Sequence, residues 1–370
     1  MGQEKKHCQQ CGREIYFDGI CVSCRAENER NQLLSMPEEE INQAVQRICR
    51  EIAETGKLDH ERELCSKLIQ YRDINTAEIA KQAFSKGVYH PWELYKDAPD
   101  DVIDQMIALL MQDDVEVRLV NNLLLCLSIH GGQKVFQTFL EWERNPRKWS
   151  EKIYAAPSEY AFYGGWSYDK QGNWMKTMFD TCYPMVKGTL EQKKKSPVKI
   201  GSRTGETCKR CGCELAYLME IDGRDQRLSF LGLDGVVKVK GCPNCIAWDG
   251  GDFCRYQLDG SSELVAEGDG FTTEDYLGEE GTEELASNPY CLGETPVPLR
   301  YATDWEGGSS VGGFAFWIQD YAATYCPDCG RPMQYLAQIQ WDTVLDGMEG
   351  NAYLQICKDC QIVTMLHQQT

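Results

Sequence analysis

CKRCGCELAYLMEI (Cys208–Ile221) and CPDCGRPMQYLAQI (Cys326–Ile339) align without a gap. They share Cys-x-x-Cys-Gly, then Leu or Met, Tyr-Leu and Ile at matching positions. Each runs on through another strand-like segment into a second cysteine pair, VVKVKGCPNC (Val236–Cys245) and NAYLQICKDC (Asn351–Cys360). An internal duplication is the simplest account.

Twelve of the nineteen cysteines form six Cys-x-x-Cys pairs: Cys8/Cys11, Cys21/Cys24, Cys208/Cys211, Cys242/Cys245, Cys326/Cys329 and Cys357/Cys360. They fall into three sets of two, the pairs separated by nine, thirty and twenty-seven residues. This is zinc-ribbon spacing: a tight knuckle aims two sulfurs at one ion, and a second knuckle completes a tetrahedron. Glycine follows the second cysteine in CQQCG, CKRCG and CPDCG, where the turn calls for a positive φ. About three structural ions are expected, zinc favoured over iron, although tetrahedral thiolate sites accept both. Four protein ligands leave no position for a catalytic water. The chemical rival is a redox pair, which expects a preceding strand and a following helix, whereas strand-like sequence follows Cys211 and Cys329. Cys213 and Cys254 are near enough in sequence to substitute as ligands. Cys49, Cys65 and Cys126 lie in helical patterns and read as core, and Cys182 and Cys291 carry no assigned role.

The chain has 370 residues, 42% of them hydrophobic, and a formal net charge of −19. Four thiolates around one divalent ion would add −2 per site. That balance argues against nucleic acid, which demands a basic surface, and permits a basic protein partner, although acidic charge also serves solubility alone. No apolar run approaches the ~20 residues that span a bilayer, and the start lacks an apolar signal segment, so no membrane association and a cytoplasmic location are expected.

The expected fold class is multidomain α+β: a zinc ribbon (1–34), an α-helical, HEAT-like domain (35–145), an aromatic connector and linker (146–197), and a duplicated β-rich domain with two four-cysteine zinc sites (198–370). Ile41, Ala44, Val45, Ile48 and Ile52 recur at helical spacing behind a capping-box pattern at Ser35 and Glu38. Further helices are predicted over about 61–72, 77–86, 101–111, 115–129 and from the Gly131-Gly132 break to Arg144. Tyr160, Tyr163, Trp166, Tyr168 and Trp174 offer interface anchors or junction packing. Glu191–Lys199 reads as an exposed linker, and Glu263–Ser287 as a long mobile loop.

The run Gly312-Gly313-Phe314-Ala315-Phe316-Trp317-Ile318-Gln319, followed by Cys-x-x-Cys-Gly-x-Pro-Met and an apolar strand, resembles the C-terminal half of the YwqG-like bacterial proteins. More distantly, it looks like the cysteine-bearing units of the programmed-cell-death-protein-two family, chaperones for a ribosomal protein. The likeness covers Val198–Thr370, and the first unit departs from it where Ser follows Gly201. Because YwqG-like domains occur beside polymorphic toxins, the resemblance implies an immunity role; the second family implies a chaperone.

His7, His60, His90, His130 and His367 form no metal or catalytic motif, and neither a nucleophile elbow nor a phosphate-binding Walker loop is present. His130, beside Gly131, suits a helix C-terminus as a cation. The expectation is therefore a non-enzymatic binding protein: an immunity protein that caps a basic toxin domain, with a chaperone for a basic client as the alternative and a thiol-redox enzyme as the third class.

Overall fold

The computed structural model describes residues 5–112, 114–246, 251–266, 272–305 and 307–370. The chain opens with a hairpin of β1 (Lys6–His7) and β2 (Glu14–Ile15), followed by α1 (Val22–Leu34). Leu33 is already part of the helical core, so the cysteine module runs directly into the helices.

These are α2 (Glu38–Thr55), α3 (Arg62–Arg72), α4 (Ala77–Lys86), α5 (Asp100–Leu110), α6 (Val117–His130) and α7 (Gly132–Arg144). The expected spans match within about two residues, α4 at both ends. Ile41, Ala44, Ile48 and Ile52 of α2 are buried as the periodicity requires. Each isoleucine removed from water contributes roughly 1.5–3 kcal/mol. The capping box is not formed. Pro37 is the N-cap of α2, and the Ser35 hydroxyl turns back to donate to Asn31 O (2.9 Å) at the end of α1. His130 does end α6, where burial pushes its pKa down and so disfavours the cation.

The connector is more structured than expected. After α8 (Pro157–Ala161) come a hairpin of β3 (Trp166–Tyr168) and β4 (Trp174–Lys176), then β5 (Phe179–Lys187). Tyr160, Trp166 and Tyr168 are buried and Tyr163 half-buried, so these aromatics pack the junction; Trp174 alone among the five is exposed. The expected linker holds α9 (Leu190–Lys195) and the start of β6 (Val198–Thr207). Lys193 is buried there, its Nζ donating to Ile200 O and Ala286 O at 2.8 Å.

In the first duplicated unit, β6 and β7 (Glu214–Asp222) flank one knuckle, and β8 (Val236–Gly241) leads into the next. Beyond it lie β9 (Asp252–Tyr256), β10 (Ser262–Ala266), α10 (Gly278–Ser287) and β11 (Tyr290–Leu292). The segment expected as a loop thus carries a strand and a ten-residue helix at its two ends. In the second unit β12 (Ser310–Gly313), β13 (Gln334–Gln340), β14 (Asn351–Cys357) and β15 (Ile362–Gln368) repeat the order strand, knuckle, strand, strand, knuckle, strand.

Two sheets result, β6-β7-β8 and β10-β9-β15-β14-β13-β12-β5-β11, antiparallel throughout. β9 and β15 are the corresponding last strands of the two units, and they pair with each other: Cys254 faces Val363 and Phe253 faces Thr364. The duplicated halves are thus joined through equivalent edges. One continuous core lies between them, including Val237, Val239, Cys254, Leu354 and Val363.

Candidate metal centres

All three first knuckles have the same backbone. The N–H of Cys8, Cys208 and Cys326 donates to the carbonyl five residues on (Arg13, Cys213, Arg331; 2.8–2.9 Å). The N–H of Gly12, Gly212 and Gly330 donates back to the first cysteine's carbonyl at 2.8–3.1 Å. The glycines take φ of +75°, +82° and +67°, the conformation the sequence required. In the second knuckles a backbone N–H points at sulfur instead: Cys24 N to Cys21 Sγ and Cys245 N to Cys242 Sγ, both 3.4 Å.

The twelve expected cysteines assemble into three tetrads, Cys8/Cys11/Cys21/Cys24, Cys208/Cys211/Cys242/Cys245 and Cys326/Cys329/Cys357/Cys360, with all four sulfurs within 4.8 Å of one another in each. The closest cross-knuckle pairs are Cys8–Cys24 (3.8 Å), Cys11–Cys21 (3.6 Å), Cys208–Cys245 (3.8 Å), Cys211–Cys242 (3.6 Å) and Cys329–Cys357 (3.8 Å). A tetrahedron with metal–sulfur bonds of ~2.3 Å has edges of ~3.8 Å. The spacing is too long for a disulfide, whose sulfurs are ~2.0 Å apart, and fits a four-sulfur metal site. Cys213 and Cys254 stay outside. The Cys213 thiol donates to Glu214 O (3.4 Å), and Cys254 accepts from Lys240 N (3.3 Å) inside the sheet core. No described histidine joins a tetrad.

The electrostatics suit thiolates. Backbone N–H groups, that of Cys11 foremost, hold the Cys8 thiol down at about 5. Burial opposes ionisation of Cys329, yet the Arg331 backbone N–H and its guanidinium bring it to about 6. Burial and neighbouring thiols hold Cys24, Cys245 and Cys357 up, and Cys360 up to about 11. Four adjacent thiols cannot all ionise unaided. A divalent cation would displace the remaining protons, so affinity should fall as the pH falls.

The surroundings differ. Cys11 and Cys329 are exposed, whereas all four cysteines of the second tetrad are buried. That tetrad packs against Leu215, Leu264 and Leu277. Asn244, between Cys242 and Cys245, donates through Nδ2 to Glu274 O (2.8 Å) and accepts from Tyr276 N at Oδ1 (3.0 Å). At the third tetrad Arg255 of β9 donates to Cys360 O (3.0 Å) and Asp328 Oδ2 (2.9 Å), so the first unit clamps both knuckles of the second. Asn244 was open to notice in the sequence because it lies inside a knuckle; Arg255 had no such signal.

YpfL of Salmonella typhimurium, an uncharacterized protein, is 26% identical over 335 residues, covering 86% of this chain and 75% of its own length. No family model and no solved structure matches the chain.

Proposed function

We propose that this protein is a non-catalytic, zinc-stapled binding protein whose partner is a basic protein, most specifically an immunity protein that caps a toxin domain. Zinc is the reading of the metal, since four thiolates in a closed tetrahedron suit an ion that does no redox chemistry. The N-terminal module is read as a ribbon-type knuckle pair extended into α1, and the helices as a HEAT-like stack.

One observation carries the binding reading. Glu274–Glu284 holds six carboxylates and no lysine or arginine. Glu274, Asp275, Glu279, Glu280, Glu283 and Glu284 are all exposed, as is Tyr276 at 64%. Thr282 and Leu285 anchor the ridge from below, and Asn244 pins its start to the second metal site. An exposed acidic ridge, two of whose carboxylates (Glu279 and Glu283) also pair with Arg203, steers a basic partner. The net charge of −19 acts in the same sense.

The test is co-expression with the product of the adjacent upstream reading frame. Protection of growth, with a stoichiometric complex that dissociates at high salt, is expected. Absence of both protection and a low-salt complex sinks the immunity reading.

A further inference from the structure

The Gly312–Gln319 run has a structural role of its own. Gly313, Phe314, Ala315, Phe316, Trp317 and Gln319 form one wall of a cavity of about 300 Å³ between the helices and the large sheet. Trp92, Phe162 and Tyr163 close it from the helical side, and Tyr321, two residues beyond the run, completes it. The rings brace one another: Trp317 stacks on Tyr353 (4.2 Å) and Phe162 on Tyr321 (5.1 Å). Gly165 keeps the space open, since a Cβ there would lie 2.4 Å from Met178 and 3.3 Å from Phe314. The volume is at the lower end of the range for small-molecule pockets, ~300–1,000 Å³.

Arg300 is the unusual member. Its side chain is only 11% exposed, and its guanidinium lies 4.0 Å above the Phe314 ring. Its ion-pair partner is Glu93 Oε1 at 3.7 Å, beyond hydrogen-bond reach, and among the described residues the guanidinium donates no hydrogen bond. Glu93 thus balances the charge and leaves the N–H fork open. The hydroxyls of Thr177 and Tyr335, also lining the cavity, are buried without a hydrogen-bond partner. Arg300, Glu93 and Thr303 also border a second, more polar cavity of about 430 Å³, so the fork stands where the two meet.

We propose that this cavity is a binding site for a small aromatic carboxylate, its ring held among Phe314, Phe316, Trp317 and Tyr321 and its carboxylate engaged by the Arg300 fork. A planar carboxylate accepts two parallel N–H bonds from guanidinium, a match that no neutral or cationic headgroup offers. The aromatic walls supply stacking and apolar burial. Glu93 and the exposed Asp320 at the rim disfavour a diffuse anion and select one able to pair directly with the fork. The first duplicated unit lacks the Gly-Gly-aromatic run that walls this site. The proposal stands apart from the acidic ridge.

Calorimetric titration of the intact zinc-loaded protein with 3-phenylpropionate, 3-phenylpropionamide and 3-phenylpropylamine tests it. The carboxylate should bind saturably and at least about tenfold more tightly than the amide or amine. Arg300→Lys, which keeps the charge and loses the fork, should weaken the carboxylate by about tenfold and leave the amide unchanged. Equal binding of the three ligands, preference for the amine, or no saturable binding at millimolar carboxylate overturns the proposal. If Arg300→Lys does not fold, the wild-type comparison alone decides.

Discussion

Asn244 sits between two cysteines of the second tetrad and holds Tyr276 in place, accepting its backbone N–H at 3.0 Å while donating to Glu274 O at 2.8 Å. Two hydrogen bonds thereby tie the second cysteine tetrad to the start of the acidic ridge. Asn244→Ala removes both bonds, roughly 1–3 kcal/mol of local stability. Amide exchange at Tyr276 should accelerate by about tenfold or more, with metal content unchanged. Unaltered exchange there would detach the ridge from the knuckle.

Ligand and non-ligand cysteines should separate cleanly by metal stoichiometry. Cys242→Ser should lower bound zinc from three ions per chain to two and loosen Glu274–Glu284. Cys213→Ser and Cys254→Ser should keep all three, because their thiols lie outside the tetrads. Loss of an ion from either variant, measured by elemental analysis, would reassign the site.

The glycines of the duplicated units fail in two different ways. At Gly330 (φ +67°) a Cβ meets nothing within 4 Å, so Gly330→Ala carries only the left-handed backbone penalty, about 1–2 kcal/mol. Zinc binding should weaken modestly, with the fold intact by circular dichroism. At Gly312 (φ +73°) a Cβ would fall 2.1 Å from Thr181 O and 2.9 Å from Phe230, so β12 must leave β5. Gly312→Ala should therefore lower the melting temperature far more; equal losses would contradict this reading.

Much of the architecture was readable because it is local. The α2 stripe, the Gly131-Gly132 break and the cysteine knuckles each depend on neighbours a few residues away. β5 was missed because the strands beside it, β11 and β12, come more than a hundred residues later, and its Phe179-Asp180-Thr181-Cys182 start lacks clean alternation. Lys193 looked solvated in a lysine run; only the fold brings the Ala286 carbonyl to it. Likewise the Gly312–Gln319 run gave no hint of a cavity, whose other walls come from residues as distant in sequence as Trp92, Phe162 and Thr177.

Lys193 also makes a pH prediction. Burial lowers its pKa to about 8 from the usual 10.5. Between those values the unfolded chain binds more protons than the folded one, so stability rises with pH across that window, and the penalty is complete below it. Lys193→Met should lack this rise in chemical denaturation from pH 7.5 to 10.5; superimposable profiles would show that the ammonium is not desolvated.

The most direct test of the central claim, that three closed four-sulfur sites staple this fold, is zinc-edge X-ray absorption combined with metal and thiol counts on the protein as purified. The account predicts three zinc ions per chain, a first shell of four sulfurs at ~2.3 Å without nitrogen or oxygen, and twelve thiols that become reactive only after chelation. A light-atom ligand, fewer than three ions in fully folded protein, or a native disulfide within any of the six pairs would contradict it.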